Sequence, residues 1–193
     1  MNFSENISNK LTEVIVSELN YDEDKKEIIA YAIENVLFTF LGLVSIVFLG
    51  YLFDSLIPTV IAAFFGGTLR RVSGGAHFDT PLKCLAVGSL VYSFLGVLAN
   101  QLAIRGFNHR SYLLVAVIIS LFLVFKFAPV DSEAKPINSG KLKFKLRVLS
   151  IGFVIVSFIL IGIANNSLFC ISTTLGIAYQ SITLIPIFNK GGR

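Results

Sequence analysis

Apolar stretches long enough to cross a bilayer recur through this chain, and short polar segments between them carry most of its charge. A helix rises 1.5 Å per residue, so crossing a hydrocarbon core of about 30 Å takes about 20 predominantly apolar residues. Val36–Phe53, Leu82–Ile104, Tyr112–Val130, Leu146–Ala164 and Ser167–Phe188 meet or approach that length. Composition agrees: 54% of the 193 residues are hydrophobic, 15% are charged, and mean hydropathy is +0.77. That is too apolar for a soluble domain of this size. The fold class expected is all-α: a polytopic integral membrane protein of about six transmembrane helices plus an N-terminal amphipathic helix. It reads as a single membrane domain over residues 1–193.

Residues 1–20 place Phe3, Ile7, Leu11, Val14 and Ile15 at helical spacing among polar residues, which predicts an amphipathic helix on the membrane surface or against the bundle. Asn20-Tyr21-Asp22 breaks that pattern, and Asp22 can cap a second helix that runs into the span near 36–53. Leu56–Leu69 is apolar but only about fourteen residues long, with Pro58 and Gly66-Gly67 inside it. Its length suits a short span or a re-entrant hairpin. The remaining spans are expected near 82–104, 112–130, 146–164 and 167–188. In the last, Ser172, Thr173, Thr174, Gln180, Ser181 and Thr183 are expected to bond across helices inside the bundle.

Lysine and arginine positions choose between the two readings of Leu56–Leu69. If all six segments cross from a cytoplasmic N-terminus, Lys10, Lys25, Lys26, Arg70, Arg71, Lys83, Lys135, Lys141, Lys143, Lys145, Arg147, Lys190 and Arg193 are inside. Only Arg105 and Arg110 are then outside, and Lys126 sits within a span near its inner end. Without that crossing, the basic Lys141–Arg147 stretch would be external. The positive-inside rule therefore favours crossing, with both termini cytoplasmic. It also absorbs the net charge of +4, so no nucleic-acid partner is inferred. No cleavable signal peptide is read in the first thirty residues, and two distant cysteines make no disulfide framework.

The longest polar, glycine-bearing interruption of the first half runs from Arg70-Arg71 through Gly74-Gly75, His77 and Asp79 to Cys84. It holds one of two histidines and one of two cysteines. A thiol beside an imidazole is the minimum for a cysteine nucleophile with its base. Thr80-Pro81 reads as a helix start, a capping hydroxyl followed by proline at the first helical position. Cys84 then falls in the first turn, where the helix dipole and Lys83 favour an anionic nucleophile. Gly74 and Gly75 let the preceding loop fold the His77 imidazole back over that helix. Asp79 or Glu34 can orient the imidazole. Arg70 and Arg71 can bind a peptide carboxylate or lipid headgroups, and the backbone amides at the helix start can stabilise an oxyanion.

Each feature also has a plainer reading. A juxtamembrane cysteine is usually a small packing residue or a palmitoylation site. An arginine pair is usually a topology signal, and Asp79 can serve only as a cap. His109 and Cys170 have no such neighbours and read as a surface residue and a packing residue. No metal site is supported, because the two histidines fall on opposite membrane faces, and no cofactor is implied. The competing function is a small peptide transporter or membrane scaffold without covalent chemistry, which should tolerate Cys84→Ala.

Arg70-Arg71, Gly74-Gly75, His77 and Cys84, with the proline-bearing segment Ala128–Ile137 and the basic stretch after it, resemble the accessory gene regulator protein B (AgrB) family. The resemblance implies a multi-pass thiol protease of the bacterial cell membrane that processes a quorum-sensing propeptide. Cys84, with His77 as base, would cleave the acidic C-terminal tail through an acyl-enzyme thioester. An internal cysteine or serine would then close a thiolactone or lactone. The propeptide would carry an amphipathic leader, with the N-terminal helix and the Lys135–Arg147 stretch as docking surfaces. The resemblance also implies a homodimer.

Overall fold

The computed structural model describes residues 23–76, 80–107, 109–131 and 139–188. Six helices run through them: α1 Glu23–Leu52, α2 Leu56–Ser73, α3 Pro81–Ile104, α4 Arg110–Phe127, α5 Gly140–Ile163 and α6 Ser167–Ile182, followed by a 3-10 turn over Pro186–Phe188. There is no strand among the described residues, as expected of an all-α membrane protein. Long apolar helices can span because every interior backbone group is paired within its own segment. Four of the six are long and apolar enough to cross a bilayer: most of α1, and all of α3, α4 and α5. In α2 and α6 the apolar content or length falls short of that standard. The amphipathic segment expected over residues 1–20 lies outside the described residues.

Several boundaries differ from expectation. The helix expected over 167–188 ends at Ile182, and α4 ends at Phe127, before the Ala128-Pro129 bond. Proline has no N–H to continue a helix and pushes the residue before it out of the helical region. Ala128 accordingly sits at φ −79°, ψ 148°. The helix expected near 146 begins at Gly140, taking in Lys141, Lys143 and Lys145, whose long stems are compatible with helix.

α2 lies at the centre, packed against α6, α3, α1 and α5, whereas α1 touches α3 and α2 at the periphery. Small residues make those approaches close. A Cβ on Gly176 of α6 would fall against the Ala62 carbonyl of α2, and one on Gly96 of α3 would overlap Thr59. Where lipid is as apolar as leucine, small residues gain packing where large ones cannot. The buried stripes follow that rule. Ser89, Ser93, Gly96 and Ala99 of α3, Ser120 of α4, and Ser150 and Ser157 of α5 face the interior, while Phe94, Phe122 and Ile159 point outward.

The hydroxyls of α6 were expected to bond across helices, and here the structure corrects the reading. They are buried, but Ser172, Thr174 and Ser181 donate to the carbonyls of Leu168, Cys170 and Ile177, one turn back in the same helix. A short hydroxyl reaches its own i−4 carbonyl more readily than a neighbouring helix. Gln180, with a longer side chain, does cross to α2.

Hydrogen bonds between helix ends fix the direction of each element. At one end the Val130 amide, just past α4, donates to the Ser73 carbonyl at the end of α2, and Arg147 near the start of α5 donates to the Phe125 carbonyl. At the other, Asn100 of α3 donates to the Asp54 carbonyl between α1 and α2. Arg110 at the start of α4 donates to the carbonyls of Gly162 and Ala164 at the end of α5. Successive helices therefore reverse direction. The 18 residues of α2, about 27 Å long, run from one end to the other, which favours a traversing helix over a re-entrant hairpin.

Candidate active site at one end of the bundle

α3 starts as its sequence predicts. Thr80 is the N-cap in extended conformation (φ −129°, ψ 139°), Pro81 follows at the first helical position, and the Thr80 hydroxyl accepts from the Lys83 amide at 3.4 Å. The Cys84 amide donates to the Thr80 carbonyl at 3.2 Å. Cys84 is thus in the first turn, half-buried, with a free thiol. The amides of Lys83 and Cys84 are both engaged by Thr80. The oxyanion role expected of the helix-start amides therefore has less to draw on, and a side-chain donor matters more.

The side-chain donor nearest the Cys84 sulfur among the described contacts is Arg70. From the last turn of α2 its Nη2 lies 3.6 Å from the Cys84 Sγ, and the same nitrogen hydrogen-bonds the Ala76 carbonyl. A guanidinium beside a sulfur stabilises negative charge as it develops there. Arg71, one position on, is exposed, so the structure separates two arginines that look alike in sequence.

Between Arg70 and Ala76 the chain makes a tight turn. The Gly74 amide donates to the Arg70 carbonyl at 3.0 Å, and Gly74 and Gly75 take φ values of 70° and 138° that side chains rarely adopt. Space forbids a side chain as well. A Cβ on Gly74 would fall on the Val130 carbonyl, and one on Gly75 would lie 2.8 Å from Thr183 Oγ1 and 2.9 Å from Gln180 Nε2. Gln180 donates to the Gly74 carbonyl at 2.7 Å and to Ser73 Oγ at 3.3 Å. Beneath the site, the rings of Tyr92 and Tyr179 meet edge to face at 5.8 Å, within electrostatic range of Arg70 and Cys84.

The structure thus brings together Arg70, Gly74, Gly75 and Cys84. His77 and Asp79 lie outside the described residues. Glu34 is half-buried on α1, and among the described contacts none joins it to Arg70 or Cys84. Gln180, Val130, Tyr92 and Tyr179 were not foreseen at the site; Gln180 lies 106 residues from Gly74, a separation that no local spacing announces. Among the described residues no three His, Cys, Asp or Glu side chains gather as a metal site. Cys170 is buried with its thiol near the Ile161 and Ala164 carbonyls, and His109 is exposed at the opposite end of the bundle.

A family model for accessory gene regulator B matches residues 8–184, which includes every element that builds this site. The chain belongs to the AgrB family. It is 34% identical to an AgrB-like protein of Clostridium perfringens (strain SM101 / Type A), over 96% of this chain and 92% of that one. It is 32% identical to accessory gene regulator protein B of Staphylococcus intermedius over 63% of this chain and 62% of that one. With the protein of the same name from Staphylococcus aureus (strain MRSA252) it shares 26% identity over 72% of each. No solved structure matches the chain. AgrB family membership, with the apolar helices, makes this a membrane protein with a role in the accessory gene regulator system.

Proposed function

We propose that this AgrB-family protein is a membrane cysteine endopeptidase that removes the C-terminal tail of a quorum-sensing propeptide and lets the remainder cyclise. The observation that carries the reading is the Arg70 guanidinium 3.6 Å from the Cys84 sulfur, at the mouth of the glycine turn whose next residue after Ala76 is His77.

The chemistry is acyl transfer. The His77 imidazole takes the Cys84 proton as the sulfur attacks the scissile carbonyl carbon. Arg70 stabilises negative charge at the sulfur and on the tetrahedral oxygen. His77 returns the proton to the leaving amine, the C–N bond breaks, and a Cys84 thioester remains. A cysteine thiol or serine hydroxyl within the captured peptide attacks that thioester, its proton passes through His77 to the Cys84 sulfur, and a thiolactone or lactone leaves. A membrane-edge site slows the competing hydrolysis by limiting water.

Orientation follows from charge. The Cys84 end of the bundle also carries Arg70, Arg71, Lys83, Lys126, Lys141, Lys143, Lys145 and Arg147, whereas Arg105 and Arg110 lie at the other end. The positive-inside rule then supports a cytoplasmic catalytic face and cytoplasmic termini in a bacterial cell membrane. An amphipathic propeptide leader would dock on that surface, its acidic tail drawn to the basic residues. The active species is proposed as a homodimer of one-domain chains.

The test is intact-mass analysis of the cognate propeptide incubated in liposomes with unaltered protein or with Cys84→Ala. The expected result is a truncated peptide, lighter than its linear form by one water, from the unaltered protein alone. If both leave the propeptide whole, the transporter or scaffold reading takes its place.

A further inference from the structure

Gln180 is fully buried, and its hydrogen bonding is lopsided. Both amide hydrogens are used, one toward the Gly74 carbonyl at 2.7 Å and one toward Ser73 Oγ at 3.3 Å. Its Oε1 has no partner. Reversing the amide would set Oε1 against the Gly74 carbonyl, two acceptors face to face, so the orientation is fixed by chemistry. A buried amide with an unmet acceptor is costly, and a leucine or methionine would fill the same space without that cost. What an apolar side chain lacks is the pair of donors.

Those donors fall on the turn that carries Arg70 to Cys84. Arg70 closes the turn on itself, through its carbonyl to the Gly74 amide and its guanidinium to the Ala76 carbonyl. Nothing in that loop alone holds it at a set height against α3. Gln180 does so from α6, the Val130 amide adds a clamp on the Ser73 carbonyl at 2.9 Å, and Gly75 lies close enough to Gln180 that even a methyl would collide.

We propose that Gln180 is a positioning residue for the endopeptidase, a donor from α6 that holds the Ser73–Ala76 turn so that the Arg70 guanidinium meets the Cys84 sulfur. The proposal rests on the endopeptidase reading for its catalytic consequence, but its geometric content does not depend on substrate.

Gln180→Met keeps the volume and removes the donors. Its fold is checked by helical circular dichroism and gel filtration in detergent. Two assays then follow: propeptide processing in liposomes, and iodoacetamide alkylation of Cys84 in a Cys170→Ala background at fixed pH. The expected result is a kcat lower by about 100-fold with KM unchanged, the scale of a misplacement of about 1 Å at a reacting centre. Alkylation should slow to the rate of an Arg70→Met variant, and combining the two substitutions should slow it no further, because both act through one contact. Unaltered kcat and alkylation overturn the proposal. So does a rise in KM alone, or loss that adds to that of Arg70→Met. If Gln180→Met does not fold, Gly75→Ala, whose methyl would push the turn off Gln180, is read by the same assays against the same outcomes. If Cys84→Ala processes propeptide as well as unaltered protein, the endopeptidase reading fails, while the alkylation assay still decides the role of Gln180.

Discussion

At the residue scale, one guanidinium nitrogen reaches both the Ala76 carbonyl and the Cys84 sulfur. Arginine can do this because its rigid planar fork presents donors in fixed directions, whereas a lysine ammonium is a compact point charge on a flexible stem. Arg70→Lys is therefore expected to lower the initial rate of propeptide processing about 100-fold, the scale of removing one oxyanion donor. An unaltered rate would remove Arg70 from the mechanism. The second thiol is different. Cys170 is buried at the opposite end of the bundle, with only weak contacts to the Ile161 and Ala164 carbonyls. Cys170→Ala is expected to keep full processing and to cost about 1 kcal/mol or less in thermal unfolding in detergent.

At the element scale, helix contacts are set by what is small. Gly176 meets the Ala62 carbonyl so closely that a methyl needs α2 and α6 to separate, whereas a methyl on Gly152 of α5 meets nothing within 4 Å. Gly176→Ala should lower stability by about 1–3 kcal/mol, the usual range for overpacking. Gly152→Ala should leave it unchanged or raise it by up to about 1 kcal/mol through helix propensity. Matched unfolding curves of the two variants check this. The start of α3 gives a third case: Thr80→Ala removes the cap and should cost about 1 kcal/mol, and processing should fall with it because Cys84 is in the turn that the cap holds.

At the scale of the whole molecule, alternating helices put Cys84 and His109 at opposite ends, the first among the basic residues. With both native cysteines replaced by alanine, a His109→Cys reporter should react with a membrane-impermeant maleimide in intact cells. Cys84, in a Cys170→Ala background, should react only after permeabilisation. The reverse pattern would invert the proposed orientation and place the candidate site outside.

Sequence alone determined the all-α membrane class, the approximate places of the long apolar helices, the Thr80-Pro81 helix start and the fact that a scarce cysteine and a scarce histidine, Cys84 and His77, lie seven residues apart along the chain. Each of these is a local property: apolar length, capping chemistry and short spacing are read along the chain without knowing what lies across from it. Only the tertiary structure decided that Leu56–Ser73 is the central helix, that α6 hydroxyls turn back on their own backbone, and that Arg70 rather than Arg71 meets Cys84. Gln180 belongs with these, since its partners lie more than a hundred residues away. The physical reason is shared. Helices that are apolar on every side carry no periodicity to say which face turns inward, so that choice is made by close packing and hydrogen bonds between segments far apart in sequence.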